Sequence, residues 1–312
     1  RSVVANRVDP EAARAAIVRS DQYLKASNAS AARSQAFGAV RADPNRGEAH
    51  LALARAVLAL DEGIAAEASL RRAIDNGIDP NRTHALMAHA ILLQGDPRRA
   101  LIEADKAPEA DRLYVLRVRT RAYAAGGNLA AGQQAALAAV RLAPNDANAW
   151  TDLGRFRLNA GDVVGAIEAA GKATQLDSGN TDALVLRGEL VRSQYGLVAA
   201  LPWFEAALKR DPYRHSTLIQ YASTLGDAGR TREMLAVTRR AMEVRPRSPQ
   251  AFYLQAVLAA RAEQFDLASN LLQRAGSGIA ALPGGMLLGG TLDIEQRRYE
   301  RAVEKLRNLK IH

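Results

Sequence analysis

The strongest constraint on the fold of this chain is a periodic recurrence of alanine. Starting at Ala39 and stepping by 34 residues, with one step of 32 after Ala107, alanine fills eight of nine positions of one column. The column consists of Ala39, Ala73, Ala107, Ala139, Ala173, Ala207, Ala241, Ala275 and Leu309. Alanine makes up 64 of the 312 residues, so chance would fill only about two of the nine positions. A fixed period of this length indicates an array of repeats.

Two more columns in the same register hold small residues. One consists of Ala32, Ala66, Ala100, Gly132, Ala166, Ala200, Met234, Ala268 and Ala302. The other consists of Ser20, Ala54, Ala88, Thr120, Gly154, Gly188, Ala222, Ala256 and Gly290. Bulky apolar residues run between these columns, and a proline follows several repeats. Small residues at recurring positions predict close approach of helix backbones, with the bulky residues filling the space that remains.

Within each repeat the spacing indicates two helices. Trp150, Leu153 and Gly154 recur at helical intervals, and Ala166, Ala170 and Ala173 do so in the second half of the same repeat. No segment alternates like a strand. Helix breaks and caps are predicted at Asp9-Pro10, Gly95-Asp96-Pro97, Ala160-Gly161-Asp162 and Ser248-Pro249.

The repeats account for almost the whole chain. After a lead-in over residues 1–12, nine repeats fit residues 13–312, beginning near residues 13, 47, 81, 113, 147, 181, 215, 249 and 283. A single helical hairpin cannot bury both of its faces, so stacked hairpins are expected to share one continuous core. The last repeat is degenerate because it carries six glycines in fifteen residues: Gly276, Gly278, Gly284, Gly285, Gly289 and Gly290.

The repeats resemble tetratricopeptide repeats. The repeat over residues 147–180 carries Trp150, Leu153, Gly154, Ala166 and Ala173, and the next carries Leu184, Gly188, Ala200, Phe204, Ala207 and Pro212. The resemblance implies an all-α, right-handed superhelical solenoid of helix-turn-helix hairpins. It also implies a scaffold or adaptor that binds a partner peptide or helix on its concave face, with no catalytic activity and no cofactor.

One column departs from the pattern. Where Leu53, Met87 and Leu153 supply an aliphatic side chain, other repeats have Arg19, Arg119, Arg187 and Gln255. These arginines are expected to extend toward solvent or to pair with acidic groups.

The first helices carry a candidate peptide-binding site. Tracking one surface column gives four consecutive basic residues, and two residues of the fourth repeat share their face. The six candidate residues are Arg55, His89, Tyr114, Arg117, Arg121 and Arg155. They form either a basic ladder for the carboxylates of a partner, with Tyr114 as an anchor, or a solvated basic face. Exposed charges about 10 Å apart repel by only about 0.4 kcal/mol in water, so both interpretations stay open.

Toward the carboxyl end the same face becomes apolar. The predicted hydrophobic groove consists of Ile219, Tyr253, Leu254 and Val257. This groove would bind a hydrophobic segment, or a second copy of the chain that associates through the C-terminal repeat. Alternatively, the C-terminal repeat covers the groove.

The net charge of +9 rests on arginine, since only six of the 42 basic residues are lysine. An acidic protein or peptide partner and GC-rich codon usage both explain this excess. A nucleic-acid-binding helical repeat is the alternative function, but with 5% aromatic residues the chain lacks a row of stacking side chains. A regulatory arm of a larger enzyme, or of a secretion or assembly machine, is a further alternative.

The absence of cysteine excludes disulfides, zinc knuckles and cysteine nucleophiles. The five histidines are scattered, which argues against a metal site or a catalytic triad. No run of about 18 apolar residues predicts a membrane span. Because the chain begins at Arg1, a processed or trimmed bacterial protein is expected, and the composition favours export slightly over the cytoplasm.

Overall fold

The computed structural model describes residues 7–276 and residue 307. The described residues form sixteen α-helices and two single-turn 3-10 helices, Pro80–Arg82 and Glu109–Asp111, with no β-strand among them. The α-helices are α1 (Pro10–Lys25), α2 (Ala29–Ala42), α3 (Gly47–Ala59), α4 (Gly63–Asp75), α5 (His84–Leu93), α6 (Pro97–Ala104), α7 (Arg112–Ala125), α8 (Leu129–Leu142), α9 (Ala147–Asn159), α10 (Val163–Leu176), α11 (Thr181–Tyr195), α12 (Leu197–Arg210), α13 (His215–Asp227), α14 (Thr231–Val244), α15 (Pro249–Arg261) and α16 (Phe265–Ala275). The all-α prediction is confirmed. The ninth repeat, predicted near residue 283, lies outside the described residues.

The chain divides into two compact units. Unit 1 comprises Arg1–Gln194 and Glu205–Pro212, and unit 2 comprises Tyr195–Phe204 and Tyr213–His312. In unit 1, helices pair as hairpins, α1 with α2 through α9 with α10, and the first helices α1, α3, α5, α7 and α9 contact one another in that order. Consecutive second helices of this unit make marginal contact at most within the described residues. The stack of unit 1 therefore curves with its first helices on the inside. In unit 2, α13 pairs with α14 and α15 with α16.

The predicted small-residue columns are the buried seams between helices. In the column of the second helices, Ala32, Ala66, Ala100, Ala166 and Ala200 each have 0% of their surface exposed. The column of the first helices is equally buried, and its polar members satisfy their hydroxyls internally. Ser20 donates to the carbonyl of Ala32 at 2.8 Å, and Thr120 to that of Leu116 at 2.8 Å.

Gly132 shows how close the helices approach. A Cβ added at this position would lie 2.6 Å from Cε2 of the Phe156 ring, so only glycine fits there without movement of the ring. By contrast, a Cβ at Gly38 of α2 would meet no atom within 4 Å. The small column thus contains positions where size is fixed by packing.

The predicted caps are present. The side chains of Asp9, Asp96, Asp162 and Ser248 each accept a hydrogen bond from the backbone N–H three residues later. Each bond satisfies one of the donors that the first turn of a helix leaves without a partner. Local sequence therefore decides where these helices begin.

The turn within each hairpin contains one residue in the left-handed region. Glycine occupies it in the third to seventh hairpins as Gly95, Gly127, Gly161, Gly196 and Gly229. Three hairpins use other residues: Ser27, Asp61 and Glu263, with φ near +60°. Left-handed backbone costs about 1 kcal/mol or more for a residue with a Cβ, so these turns are strained.

The third hairpin is shortened. Its second helix, α6, has 8 residues whereas α8 and α10 have 14 each, which accounts for the single 32-residue step in the sequence. Ala107 of the alanine column consequently lies beyond the end of α6. A cavity of about 310 Å³ is found between α6 and α7, lined by residues that include Pro108, Val115 and Arg119.

The arginines of the departing column pair with polar groups, as expected. Arg119 forms an ion pair with Asp105 at 2.7 Å, and Arg19 donates to the side-chain carbonyl of Gln35 at 2.8 Å. Arg187 donates to Thr174 at 3.3 Å. These side chains reach the edge of the stack instead of filling its core.

Candidate partner-binding site

Four consecutive first helices of unit 1 carry the predicted basic residues. Arg55 lies on α3, His89 on α5, Tyr114, Arg117 and Arg121 on α7, and Arg155 on α9. The helices α3, α5, α7 and α9 contact one another in that order. We call the surface formed by these six residues the inner face.

His89 joins two other predicted residues. Its Nδ1 lies 2.6 Å from the hydroxyl of Tyr114, and Arg121 donates to its Nε2 at 3.1 Å. Because a guanidinium can only donate, Nε2 must be the unprotonated nitrogen, and Nδ1–H donates to the Tyr114 oxygen. Burial lowers the pKa of His89 well below its usual value, and the charges of Arg121 and Arg117 lower it further. The imidazole is therefore neutral.

Tyr114 is held as a hydrogen-bond donor. Its oxygen accepts from His89, so its own hydrogen is not used in that bond. Burial raises the pKa of Tyr114 to about 12, although the neighbouring Arg117, Arg121 and Arg55 favour ionisation. The phenol thus stays protonated at neutral pH.

Asp152 of α9 neutralises much of the charge on α7. Arg117 donates to its carboxylate at 2.6 Å, and Arg121 lies 3.8 Å from its other oxygen. Burial opposes the charge on Arg117, but the carboxylate outweighs burial and raises the pKa of Arg117 above its usual value. The side chains of Arg117 and Asp152 are 20% and 13% exposed, so solvent screens this pair only in part.

Arg55 differs from the other arginines of the inner face. It is exposed on α3 and lies close enough to lower the pKa values of Tyr114 and Glu48. Glu48 is already bound by Arg82 through two hydrogen bonds. Among the described residues Arg55 forms no ion pair, so its charge is available to a ligand.

Arg155 lies in a separate ion pair with Glu189 of α11. The structure therefore brings five of the six predicted residues into one cluster and places the sixth beside it. Asp152 was missed from the sequence. No repeat column signals it, because it lies 35 residues after Arg117 whereas the repeat is 34 residues long.

The predicted apolar residues of unit 2 divide between surface and core. Ile219, Tyr253 and Val257 are partly exposed, whereas Leu254 is only 4% exposed and belongs to the core. Burial and the charge of Asp227 raise the pKa of Tyr253.

The described residues contain no group of three side chains placed to hold a metal ion. Three of the remaining histidines pair with protein groups: His50 with the carbonyl of Pro44, His84 with Glu103, and His215 with Ser248. None of the helices in residues 7–276 combines the length and apolar character needed to cross a bilayer.

No protein-family model matches the sequence, and no curated protein matches it. Solved structures do share its fold. The Cut9–Hcn1 hetero-tetramer of the APC/C has a TM-score of 0.64 and 16% identity, covering 97% of this chain and 68% of that one. PilW, a type IV pilus biogenesis factor, has a TM-score of 0.55 and 16% identity, with coverage of 64% and 91%. A tetratricopeptide repeat protein from Parabacteroides merdae has a TM-score of 0.52 and 14% identity, with coverage of 80% and 98%. Together with the repeated helical hairpins, these likenesses show that the chain has the tetratricopeptide-repeat fold.

Proposed function

We propose that the protein is a non-catalytic recognition scaffold whose inner face binds an acidic segment of a partner protein. The observation that carries this proposal is the hydrogen-bond chain from Arg121 through His89 to Tyr114. It fixes the phenol as a donor beside the unpaired charge of Arg55, which is an arrangement suited to a carboxylate.

The charge of the inner face supports the same ligand. Its four guanidinium groups, those of Arg55, Arg117, Arg121 and Arg155, face two carboxylates, those of Asp152 and Glu189. A positive excess in a concave, partly desolvated surface attracts anions more strongly than the same charges would on an open surface. Glutamate and aspartate side chains of an extended partner segment would neutralise this positive excess.

The likeness to PilW, named as a pilus biogenesis factor, favours a scaffold that works within a multi-protein assembly. The pairing within the inner face favours binding over catalysis. The chain from Arg121 to Tyr114 keeps His89 neutral and without a free acceptor nitrogen, so it has no general-base role.

The test is binding of a fluorescein-labelled glutamate octapeptide, followed by anisotropy. We expect Arg55→Ala to weaken binding about tenfold, which corresponds to about 1.4 kcal/mol. Arg72→Ala is the matched control, because Arg72 is exposed on α4 and carries the same charge. Equal weakening by both variants would mean that only the net charge attracts the peptide, and the proposed site would be abandoned.

A further inference from the structure

The turn of the first hairpin reaches a helix that lies far along the chain. The carbonyl of Ser27 accepts a hydrogen bond from the Thr181 hydroxyl at 2.7 Å. The hydroxyl oxygen of Ser27 accepts another from the backbone N–H of Thr181 at 2.8 Å. The two residues are 154 positions apart, and both belong to unit 1. Thr181 is the first residue of α11.

A second contact joins the same turn to Asp211, which follows α12 and also belongs to unit 1. The N–H of Ser30, in the first turn of α2, donates to the Asp211 carboxylate at 3.3 Å. Asn28 caps the next N–H of that turn from within the hairpin. The carboxylate thus sits at the positive end of α2, where an anion is favoured.

These contacts close unit 1 on itself. The first hairpin meets the start of α11 and the residue after α12, so the curved stack returns to its beginning with the first helices inside.

The closed contact also carries an unfavourable feature. Asp211 is fully buried, and its Oδ1 has no hydrogen-bond partner among the described residues. Opening would return that oxygen to water, so part of the gain from the three hydrogen bonds is offset.

We propose that the hydrogen bonds of Ser27 and Ser30 to Thr181 and Asp211 form a reversible clasp, which opens to admit the partner segment to the inner face. This inference rests on the proposed function for what enters. The opening itself is a property of the protein without ligand and can be measured separately.

The first experiment measures opening without ligand. The natural chain has no cysteine, so a Thr181→Cys variant carries a single thiol beneath the first hairpin. Thr120→Cys is the control, because Thr120 is also 1% exposed but lies on α7, away from the clasp. We expect a thiol reagent to label Thr181→Cys at least about tenfold faster than Thr120→Cys, because local opening precedes global unfolding. Adding Ser27→Ala to each variant removes the hydroxyl acceptor of Ser27 and keeps the left-handed turn. It should accelerate labelling of Thr181→Cys and leave labelling of Thr120→Cys unchanged. Equal rates for the two single variants would overturn the clasp.

The second experiment locks the clasp. A variant with Ser27→Cys and Thr181→Cys, oxidised to a disulfide, should bind the glutamate octapeptide at least about tenfold more slowly than the same protein after reduction, because only the open fraction is competent to bind. Equal association rates in the two states would overturn control of entry by the clasp. If the unmodified protein fails to bind the octapeptide, the proposed function fails, whereas fast labelling of Thr181→Cys would still establish the opening.

Discussion

Arg121 donates a hydrogen bond to Nε2 of His89, and that one bond decides which nitrogen of the imidazole carries the proton. The proton must lie on Nδ1, which donates it to Tyr114. Arg121 thereby makes Tyr114, on the same helix α7, available as a hydrogen-bond donor, and it does so through His89 of the preceding hairpin.

Removing the Tyr114 hydroxyl, which accepts the hydrogen bond of His89, should destabilise the protein. In Tyr114→Phe the Nδ1–H of the buried His89 loses its partner, and an unsatisfied buried donor costs about 1–3 kcal/mol. Urea unfolding followed by circular dichroism measures the loss. Tyr123→Phe, on the same helix, is the control and should change the midpoint little. Equal midpoints for both variants would show that the His89–Tyr114 bond is not maintained in solution.

Asp152→Asn should change stability and binding in opposite directions. It leaves Arg117 and Arg121 without their shared counter-charge, which should cost about 2 kcal/mol or more for a pair this little exposed. The same change makes the inner face more positive, so affinity for the glutamate octapeptide should rise. Asp105→Asn serves as control, because Asp105 is 70% exposed in its pair with Arg119 and such pairs contribute below about 1 kcal/mol. A loss of octapeptide affinity in Asp152→Asn would contradict the prediction.

Stability should fall as the pH is lowered, in part through His215. Burial, and then the charge of Arg245, lowers the pKa of this histidine to about 4 in the folded protein. In the unfolded chain His215 takes up a proton near pH 6.5. The contribution of this histidine to the free energy of unfolding is therefore complete above about pH 6.5, and it is lost as the pH falls toward about 4. Over that range the loss approaches about 3 kcal/mol. His215→Gln should have a smaller difference between its urea midpoints at pH 7.5 and pH 5 than the unmodified protein, and an unchanged difference would refute the assignment.

Replacing two helical glycines with alanine should change the stability of the protein in opposite directions. Gly38→Ala meets open space and should stabilise α2 by about 0.5–1 kcal/mol, because alanine favours the helix. Gly132→Ala gains the same propensity but pushes against the Phe156 ring, and such overpacking typically costs about 1–3 kcal/mol. Thermal unfolding of the pair tests this directly. Stabilisation by both substitutions would mean that the ring moves aside freely.

The seams of the fold could be predicted from the sequence because they depend on local spacing. Ala66 and Ala166 occupy the same position of their hairpins, and each hairpin packs mainly on its neighbours. The placement of Arg121 and Tyr114 on one face followed from helical periodicity alone. Their internal partners did not follow, because the pairing of Arg117 with Asp152 depends on how two hairpins are rotated against each other.

The contact of Ser27 with Thr181 was harder still to foresee. It depends on curvature accumulated over several hairpins, and no spacing in the sequence reports the sum of those small rotations. Asp211 recurs in the repeats as Asp43, Asp111 and Asp177, but its bond to Ser30 depends on a helix end 181 residues away, which the repeat does not report.

The short helix α6 has an effect beyond its own hairpin. Each hairpin of an array takes its direction from the one before it, so a change of tilt at the third is passed on to every later one. Lengthening α6 to match α8 would aim the following hairpins differently and carry Thr181 away from Ser27. The length of this one helix therefore helps to set where the two ends of unit 1 lie, and with it whether Ser27 and Thr181 can meet.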